Sequence, residues 1–349
     1  MIKYLGSKRT LIPLLTRLAT ASGAATALDL FTGTTRVARA FKEAGLNVTA
    51  VDTASYSHTF AQTWIALDAE RASQRELLDA LTALGSLAGE AGYFTQTFCL
   101  AARYFQPKNG ERIDAIRERI ERDYKSTWMY HPLLTALILA ADRVDSTTGV
   151  QMAFLKNWSA RSFNELELRD PALIVGEGTA IQADATEIVT QLPPVDLAYL
   201  DPPYNQHRYF TNYHIWETLV RWDAPAAYGI ANKRTDSRDD STKSAFNSKR
   251  SMPTALAETV RDVNAETLVL SYNNESWLSR DELMAICEPK GRVEIIDVDF
   301  KRYVGSQIGI YNKAGERVGT PGVKRNLEHV VIAGDPARVE RMLAAAKAI

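Results

Sequence analysis

Apolar residues follow two different spacings along the first fifty positions. The run AATALDLFT over residues 24–32 predicts a short buried strand, and the segment after it places Val37, Ala38 and Phe41 at helical spacing. NVTAVD then predicts a second strand that ends in Asp52. A strand, a tight turn, a helix and a second strand form one βαβ unit of a parallel sheet.

The pattern changes between residues 56 and 174, where helical spacing dominates and clear strands are absent. The run ERIDAIRERIERDY predicts a helix with alternating charges. We expect these charges to form a face exposed to solvent rather than a binding motif. HPLLTALILAADRV predicts a more apolar, buried helix. We interpret this stretch as a mostly helical insertion, enclosed by a domain made of residues 1–55 and 175–349.

Strand patterns resume after the insertion. Five further runs predict strands at residues 178–185, 195–201, 267–274, 292–300 and 328–335. Helical patterns separate only some of the last runs, which leaves antiparallel pairing open at the end of the sheet. Residues 223–252 are polar and poor in aromatic residues, which predicts a loop that moves and contacts a partner. The whole pattern predicts an α/β fold with a seven-stranded sheet.

Composition narrows the class of protein. A hydrophobic content of 46% over 349 residues can bury a sizeable core, and a net charge of −1 confines any nucleic-acid surface to a local patch. Cys99 and Cys287 form no CxxC pair, which disfavours a disulfide framework or a zinc site. The N-terminus lacks a cleavage motif and no apolar run reaches the roughly 18–20 residues of a membrane span. We therefore expect a cytoplasmic protein without bound metal.

Acidic residues stand at the carboxyl ends of three predicted strands, at Asp52, Asp184 and Asp201. Ligands of open α/β sheets bind beyond these ends, and carboxylates suit ribose hydroxyls and amino groups better than a phosphate. The turn after the first strand has one glycine, Gly33, and matches neither a dinucleotide fingerprint nor a P-loop. Gly33 as a plain turn glycine and Asp52 as a surface acid or helix cap remain alternatives.

DLAYLDPPY, residues 196–204, joins a buried strand to two prolines with an acid before them and a ring after them. Each proline fixes φ near about −65° and lacks an N–H donor, and Asp201 is biased to extended geometry by the proline that follows it. In this hook, Asp201 or a carbonyl of Pro202 or Pro203 can accept a hydrogen bond from an exocyclic amine. Tyr204 can stack on a flat base. The alternative is a strand-terminating turn with two prolines.

These motifs resemble those of a known family. DPPY resembles the catalytic motif of amino-group DNA methyltransferases, and KYLGSK (3–8) and DLFTGTT resemble the cofactor motifs of the D12 class of adenine-N6 methyltransferases. Runs at 154–168, 201–217 and 246–279 resemble a FokI-type modification methylase subgroup. The resemblance spans nearly the whole chain in the family's motif order. It implies a Rossmann-like, seven-stranded, S-adenosylmethionine-dependent methyltransferase sheet, with target recognition in the helical insertion at 56–174.

The resemblance also implies individual roles. The implied cofactor contacts are Tyr4, Lys8, Phe31, Gly33, Asp52, Asp184 and Asp201. Lys8 lies near the carboxylate of S-adenosylmethionine, Asp52 holds its ribose hydroxyls, Asp184 lies near its adenine ring, and Asp201 also touches the target amine. The family loop usually has a second glycine where this chain has Thr35. Because a Cβ is tolerated there only at negative φ, we expect Thr35 to adopt negative φ and to alter cofactor approach slightly.

The implied reaction is methyl transfer to the N6 amine of a flipped adenine in duplex DNA. The implied catalytic residues are Asp201, Pro202, Pro203 and Tyr204. We expect DNA contacts from Arg208, Tyr209, Lys233, Arg234, Lys249, Arg250, Lys301 and Arg302. Ordinary packing of an amphipathic helix is the alternative for the aromatic residues after the hook, and a solvated loop is the alternative for 233–250.

Other activities remain open at this stage. Cytosine-N4 methylation uses a similar hook, although its motif more often begins with serine, so Asp201 favours adenine. RNA or small-molecule methyl transfer leaves the insertion unexplained, and a catalytically silent DNA-binding protein leaves the cofactor motifs unexplained. Duplex DNA is the expected partner of a monomer or weak dimer, and a separately encoded restriction endonuclease is a further implied partner.

Overall fold

A computed structural model describes residues 1–204, 206, 208–301, 310–311, 317–319 and 325–347. The α-helices are α1 Ile12–Ser22, α2 Arg36–Glu43, α3 Ser55–Ala61, α4 Gln74–Gly85, α5 Pro107–Tyr124, α6 Tyr130–Val144, α7 Ala185–Ile188, α8 Tyr209–Asn212, α9 His214–Arg221, α10 Met252–Asp262, α11 Arg280–Cys287 and α12 Pro336–Lys347. The strands are β1 Thr26–Asp29, β2 Asn47–Asp52, β3 Gly178–Gln182, β4 Val195–Leu200, β5 Ala227–Tyr228, β6 Lys233–Arg234, β7 Ala265–Asn273, β8 Arg292–Lys301, β9 Ile310–Tyr311, β10 Arg317–Gly319 and β11 Arg325–Gly334. Two segments are π-helical, Gln62–Ala66 and Thr95–Leu100.

Seven strands form one mixed sheet in the order β3-β2-β1-β4-β7-β11-β8. β2 pairs in parallel with β3, and β4 pairs in parallel with β7. β11 runs antiparallel to both β7 and β8. The predicted α/β class with a seven-stranded sheet is confirmed, and the pairing that the sequence left open at the end of the sheet is antiparallel.

The strand that leads to the DPPY motif is buried on both sides. Leu197, Ala198 and Leu200 of β4 have no exposed surface, and Leu268 and Leu270 of the neighbouring β7 are equally buried. A near-continuous apolar run is what a parallel strand needs when both faces of the sheet are covered. The hook therefore starts from a strand that is buried on both faces of the sheet.

The two helices predicted within the insertion are confirmed as α5 and α6, which pack on each other. The predicted solvated face of α5 includes the exposed Glu118, Arg122 and Asp123, whereas Arg117 of the same helix is completely buried. Its guanidinium donates to the carbonyl oxygens of Leu219 at 2.7 Å and Val220 at 2.9 Å. These bonds satisfy carbonyl groups in the last turn of α9, which follows the DPPY motif in sequence.

Two compact units divide the chain. The first contains Met1–Lys8, Leu28–Ala185 and His207–Ser244, and the second contains Arg9–Ala27, Thr186–Gln206 and Ala245–Ile349. Within the first unit α3 packs on β2 and β3, and within the second α1 packs on α12. The proposed boundaries of the target-recognition insertion at residues 56 and 174 stay a prediction.

The segment predicted as a loop at residues 223–252 contains a small hairpin. β5 and β6 pair antiparallel, with Ala227 opposite Arg234 and Tyr228 opposite Lys233. Three short 3-10 helices follow, at Thr235–Arg238, Asp240–Thr242 and Ala245–Asn247. None of the α-helices in the described ranges combines the length and the apolar character needed to cross a membrane.

Candidate active site

The carboxylate of Asp52 holds the loop that follows β1. One carboxylate oxygen accepts the backbone N–H of Gly33 at 2.7 Å, and the other accepts the N–H of Ala54 at 2.9 Å. Burial raises the pKa of Asp52, and the N–H donors of Ala54 and Gly33 limit that rise. The acid at the end of β2 and the glycine of the β1 loop are thus one hydrogen-bonded unit.

Gly33 leaves space that a larger residue would fill. Its φ is +50°, and a Cβ added at this position would lie 3.3 Å from both Cε1 and Oη of Tyr4. The ring of Tyr4 therefore lies directly against the loop. Tyr4 comes from the first predicted cofactor motif and Gly33 from the second, so the structure brings together two motifs far apart in sequence.

A cluster of four tyrosines surrounds this loop. Tyr4 stacks on Tyr213 at 4.7 Å between ring centroids and on Tyr209 at 5.2 Å, and Tyr56 packs edge-on against Tyr213 at 5.9 Å. The hydroxyl of Tyr213 accepts the backbone N–H of Leu5 at 2.7 Å. Stacked and edge-on rings are favourable geometries for aromatic pairs. The cluster fixes the N-terminal segment against the helices that begin at residues 55 and 209.

The expectation that Thr35 adopts negative φ is wrong. Its φ is +59°, in the left-handed region that β-branched residues rarely enter. Thr35 N–H donates to the carbonyl of Thr32 at 2.7 Å, and its own carbonyl accepts from Arg39 at 2.9 Å. Hydrogen bonds on both sides thus impose the conformation that the family's usual glycine would adopt without strain. Its buried hydroxyl has no hydrogen-bond partner among the described residues.

The other predicted cofactor residues are Lys8, Phe31 and Asp184, and they differ in local structure and burial. Lys8 is buried in a short 3-10 helix at Lys8–Thr10, and Phe31 is half-buried in the loop after β1. Asp184 is half-buried two residues beyond β3. All three belong to the same compact unit as Asp52. Their roles toward a cofactor remain predictions.

The DPPY motif follows β4 directly, as predicted. Pro202 is buried, and Asp201, Pro203 and Tyr204 are half-buried. The ring of Tyr204 packs edge-on against Tyr272 of β7, with centroids 6.0 Å apart and an interplanar angle of 66°. The neighbouring strand therefore orients the ring that ends the hook.

Two predicted DNA contacts, Arg208 and Tyr209, follow the hook. Arg208 is half-buried, and its guanidinium donates to the carbonyl of Ser237 at 3.3 Å. Tyr209 stacks on Tyr4 and so lies beside the predicted cofactor loop. Packing also accounts for Tyr213, which is fully buried. The helical alternative raised for these aromatic residues therefore holds for Tyr213.

Arg234 does not fit its predicted role in phosphate contact. Its side chain is only 2% exposed and forms ion pairs at 2.7 Å with both Asp223 and Asp236. Two carboxylates already satisfy the guanidinium, and they raise its pKa despite burial. Arg234 is a structural anchor of the hairpin because its charge is neutralised inside the protein.

The remaining basic residues differ in exposure. Lys249 and Arg250 are exposed just before α10, whereas Lys233 is half-buried with its ammonium 5.6 Å from the centre of the Tyr228 ring. The backbone of Lys301 ends β8. Arg302 lies outside the described residues. Phosphate contact by Lys233, Lys249, Arg250 and Lys301 stays a prediction.

Sequence reasoning missed two acids that organise this region. The buried carboxylate of Asp29, inside the DLFTGTT motif, accepts from the Thr32 hydroxyl and the Ala38 N–H, both at 3.1 Å. Glu217 of α9 is fully buried and accepts the N–H of Ser55 at 2.8 Å, at the start of α3. Burial raises the pKa of Glu217 to about 7. A signal for Glu217 was present, because an acid among the apolar residues of an amphipathic helix needs a buried partner.

Comparisons with known proteins show the family of this chain. A sequence model of the family described as D12 class N6 adenine-specific DNA methyltransferase matches residues 4–286. Modification methylase StsI of Streptococcus sanguinis is 30% identical over 328 residues, which make up 88% of this chain and 50% of that protein. Type II methyltransferase M.NlaIII of Neisseria lactamica is 33% identical over 287 residues, or 79% of this chain and 83% of that protein. Type II methyltransferase M.FokI of Planomicrobium okeanokoites is 29% identical over 212 residues, or 57% of this chain and 32% of that protein.

The chain therefore belongs to the D12 class N6 adenine-specific DNA methyltransferase family. The matched range includes both the cofactor loop and the DPPY motif, and the relatives include the FokI-type modification methylase. The family resemblance drawn from the motifs is confirmed. The chain spans about half the length of StsI and 83% of M.NlaIII.

Proposed function

We propose that this chain transfers a methyl group from S-adenosylmethionine to the N6 amine of adenine in duplex DNA. The observation that carries the proposal is the Asp201–Tyr204 hook placed directly after the buried strand β4, in a chain of the D12 family. At the carboxyl end of β4, the hook combines an acid, outward carbonyl groups on a stiff backbone and an aromatic ring. These groups suit an exocyclic amine on a planar base.

The loop after β1 and the end of β2 fit the proposed cofactor. Asp52 presents carboxylate oxygens that can accept from ribose hydroxyls, and Gly33 leaves open the space beside the Tyr4 ring. Lys8 supplies a cation for the cofactor's carboxylate. When bound, S-adenosylmethionine supplies the methyl group as an electrophilic carbon on a sulfonium. The remaining proposed contacts are Phe31, Asp184 and Asp201.

The residues of the hook activate the amine by hydrogen bonding. Adenine N6 is a poor nucleophile because its lone pair is delocalised into the ring. Asp201 and a carbonyl of Pro202 or Pro203 accept its two N–H hydrogen bonds, which favours a tetrahedral nitrogen and localises the lone pair. The Asp201 carboxylate also stabilises the positive charge that develops on N6, and one proton leaves through that hydrogen bond. Positioning and electrostatics supply the catalysis, without a covalent intermediate on the protein.

The target base must leave the duplex to reach the hook, which costs a few kcal/mol. Stacking of the flipped base on Tyr204 offsets part of that cost. The exposed side chains of Lys249 and Arg250, together with Lys233, are the proposed phosphate contacts. The helical insertion is the proposed site of base recognition.

The proposed setting follows from the family and the composition. The named relatives are modification methylases and type II methyltransferases, so we infer that a separately encoded restriction endonuclease accompanies this chain. We further infer a cytoplasmic protein, since free cysteines at Cys99 and Cys287 suit a reducing compartment. A monomer or weak dimer stays the expected oligomeric state.

Long-read sequencing of DNA from cells that express the protein tests this proposal. Wild-type protein should leave N6-methyladenine in one recurring sequence motif. The Asp201→Ala variant should leave none while retaining a native circular dichroism spectrum. Asp281→Ala, which removes an exposed acid of α11 outside the helical insertion, should methylate like wild type. Methylated cytosine at the motif would support N4 transfer instead, and duplex binding without any modified base would support a silent DNA-binding protein.

A further inference from the structure

Two buried acids lie at the C-terminal end of helix α6, where a helix disfavours negative charge. Asp142 is in the last turn of α6, and Asp145 is the residue that caps this end. The two residues are only 7% and 2% exposed. Carboxylates here face the negative end of the helix dipole, and burial removes the water that would solvate them. The pair therefore needs cations from other parts of the chain.

Lys3, the first residue of the predicted cofactor motif KYLGSK, supplies one of these cations. Its ammonium lies 3.0 Å from a carboxylate oxygen of Asp142 and 3.2 Å from one of Asp145, and it also donates to the carbonyl of Asp142. The backbone N–H of Lys3 donates to both carboxylate oxygens of Asp142, at 3.2 and 3.3 Å. The end of α6 thus holds both the main chain and the side chain of one residue.

Arg161 supplies a second cation, which fixes Asp145. Its Nε lies 2.8 Å from the carbonyl oxygen of Asp145 and 2.9 Å from a carboxylate oxygen of the same residue. The hydroxyl of Thr147 donates to the other carboxylate oxygen at 2.6 Å. Arg161 belongs to the run at 154–168 that resembles the FokI-type subgroup. That run therefore orients an acid that faces Lys3.

The held segment leads directly to the proposed cofactor loop. Tyr4 follows Lys3 in sequence, and a Cβ added at Gly33 would lie 3.3 Å from Cε1 and Oη of Tyr4. The N–H of Gly33 in turn donates to Asp52 at 2.7 Å. All of these residues, together with the two acids of α6, belong to one compact unit. The place of the Tyr4 ring beside the loop therefore depends on where the backbone of Lys3 is held.

We propose that Asp142 and Asp145 are positioning residues for the cofactor, which hold Lys3 and thereby place the Tyr4 ring beside the Gly33 loop. The inference rests on the proposed function, because that function assigns the loop to S-adenosylmethionine. A buried ion pair adds little stability once the cost of removing its charges from water is included, but it fixes geometry. The two acids act through Lys3 and Tyr4, so their removal should lower cofactor affinity and leave the transfer step intact.

Isothermal titration calorimetry with S-adenosylmethionine, in the absence of DNA, compares wild type with Asp142→Ala, Lys3→Met and the double variant. Each single change should lower affinity by roughly tenfold, as expected when a hydrogen bond to a charged group is lost. The double variant should lose little more than either single one, because both changes remove the same contact. On a duplex with the recurring motif, KM for the cofactor should rise while kcat stays within about twofold of wild type.

Asp262→Ala is the matched control and should bind the cofactor like wild type. Asp262 also ends a helix, α10, and forms an ion pair with its neighbour Arg261 at 2.7 Å. Thermal unfolding without cofactor identifies any variant that is not folded. If Asp142→Ala is not folded, Lys3→Met and Asp142→Asn decide the outcome, since both keep an acceptor for the N–H of residue 3.

The pH dependence of binding separates positioning from a general loss of structure. Burial raises the pKa of Asp142 above its ordinary value of 3.8, Lys3 opposes that rise and Asp145 adds to it. Further charged groups near the pair are the Met1 amine, Arg143 and Arg161. Wild-type affinity should fall as acidification protonates Asp142 and removes its ion pair with Lys3. Asp142→Asn carries no charge, so its affinity should be lower at neutral pH and the two curves should converge as pH falls.

Three results would overturn the inference while leaving the proposed function standing. The first is parallel pH curves for wild type and Asp142→Asn. The second is unchanged cofactor affinity in Lys3→Met, and weakened DNA binding by that variant would then assign Lys3 to the duplex. The third is a fall in kcat as large as the loss of affinity, which would show that the acids serve the transfer step or the fold in general. Absence of cofactor binding by wild type would overturn the proposed function first.

Discussion

The ring of Tyr209 stacks on the ring of Tyr4, with centroids 5.2 Å apart and planes at 24°. Tyr4 lies against the β1 loop, the proposed cofactor loop, whereas Tyr209 follows the DPPY motif in sequence. The first residues of the chain and the segment after the hook are therefore packed together. A substitution at Tyr209 should therefore alter the proposed cofactor loop, and with it cofactor affinity, even in the absence of DNA.

Tyr209→Ala should weaken binding of S-adenosylmethionine in the absence of DNA. Tyr209 stacks on both Tyr4 and Tyr213, so the variant loses two ring pairs. The pair with Tyr4, which lies against the β1 loop, is worth about 1 kcal/mol and predicts a decrease in affinity of roughly fivefold. Tyr209→Phe keeps the ring and should bind like wild type. Isothermal titration calorimetry measures all three affinities, with Phe163→Ala, an exposed aromatic residue, as the control. A variant that loses DNA affinity alone would show that Tyr209 serves DNA rather than the cofactor loop.

Two substitutions in the β1 loop should change stability in opposite directions. Thr35→Gly removes a β-branched residue at φ +59° and should raise the free energy of unfolding by about 1 kcal/mol. Gly33→Ala places a Cβ 3.3 Å from Tyr4 at φ +50° and should lower it by about 1–2 kcal/mol. Urea denaturation measures both. Thr35→Val keeps the backbone strain and should raise the free energy of unfolding much less than Thr35→Gly does. An equal increase for both variants would show that the positive φ is not the source of the destabilisation.

Strand ends were the most predictable part of the site. Asp52 ends β2 and Asp201 follows β4 as predicted, because a buried apolar run has to stop where a charge and two prolines appear. The acid at 184 lies two residues beyond β3. The left-handed conformation of Thr35 was not predictable from residue type. It is imposed by hydrogen bonds to neighbouring turns.

Pairings between distant residues were the least predictable part. The sequence places Arg234 among the basic residues of a predicted loop, yet its guanidinium forms ion pairs with the acids at positions 223 and 236. Local charge counting cannot show which cation becomes buried, since that depends on how the hairpin closes. The stacking of Tyr4 on Tyr213 joins residues more than two hundred positions apart. Motifs identified both regions of the chain, but only the fold places them side by side.

Glu217 should make stability fall as pH rises. Burial raises its folded-state pKa to about 7 from an ordinary value of 4.5, so the folded state holds its proton more tightly. The stabilisation is fully present below pH 4.5 and is lost as pH rises through 7, a change on the order of 3 kcal/mol. Glu217→Gln keeps an acceptor for the Ser55 N–H. It should remove the part of the slope of stability against pH that comes from Glu217.

Urea denaturation of wild type and Glu217→Gln at several pH values between 4.5 and 8 measures that slope. Glu258→Gln, which changes an exposed glutamate of α10, is the control and should follow wild type. Raised pKa values of Asp52 and Asp142 contribute to the wild-type slope in the same direction, so the difference between the two curves is the informative quantity. Parallel curves for wild type and Glu217→Gln would contradict the assignment.

Arg234 and Lys249 should respond differently to the loss of their charge. Arg234→Met removes the closer cation from Asp223 and Asp236, leaves them the longer ion pairs with Arg221 at 4.0 and 3.4 Å, and should destabilise the protein by about 2 kcal/mol. Lys249→Met should leave stability unchanged, weaken DNA binding and lower the salt dependence of that binding by about one phosphate contact. Thermal unfolding and DNA titrations at several salt concentrations separate the two effects. A stable Arg234→Met variant with weakened DNA binding would restore the phosphate-contact role.

The most direct test of the central claim is mass spectrometry of nucleosides from duplex DNA incubated with purified protein and S-adenosylmethionine. Wild type should produce N6-methyl-2′-deoxyadenosine and Asp201→Ala should produce none, although the variant should still bind the cofactor through the loop after β1. N4-methyl-2′-deoxycytidine as the product, or near wild-type yield from Asp201→Ala, would contradict that claim.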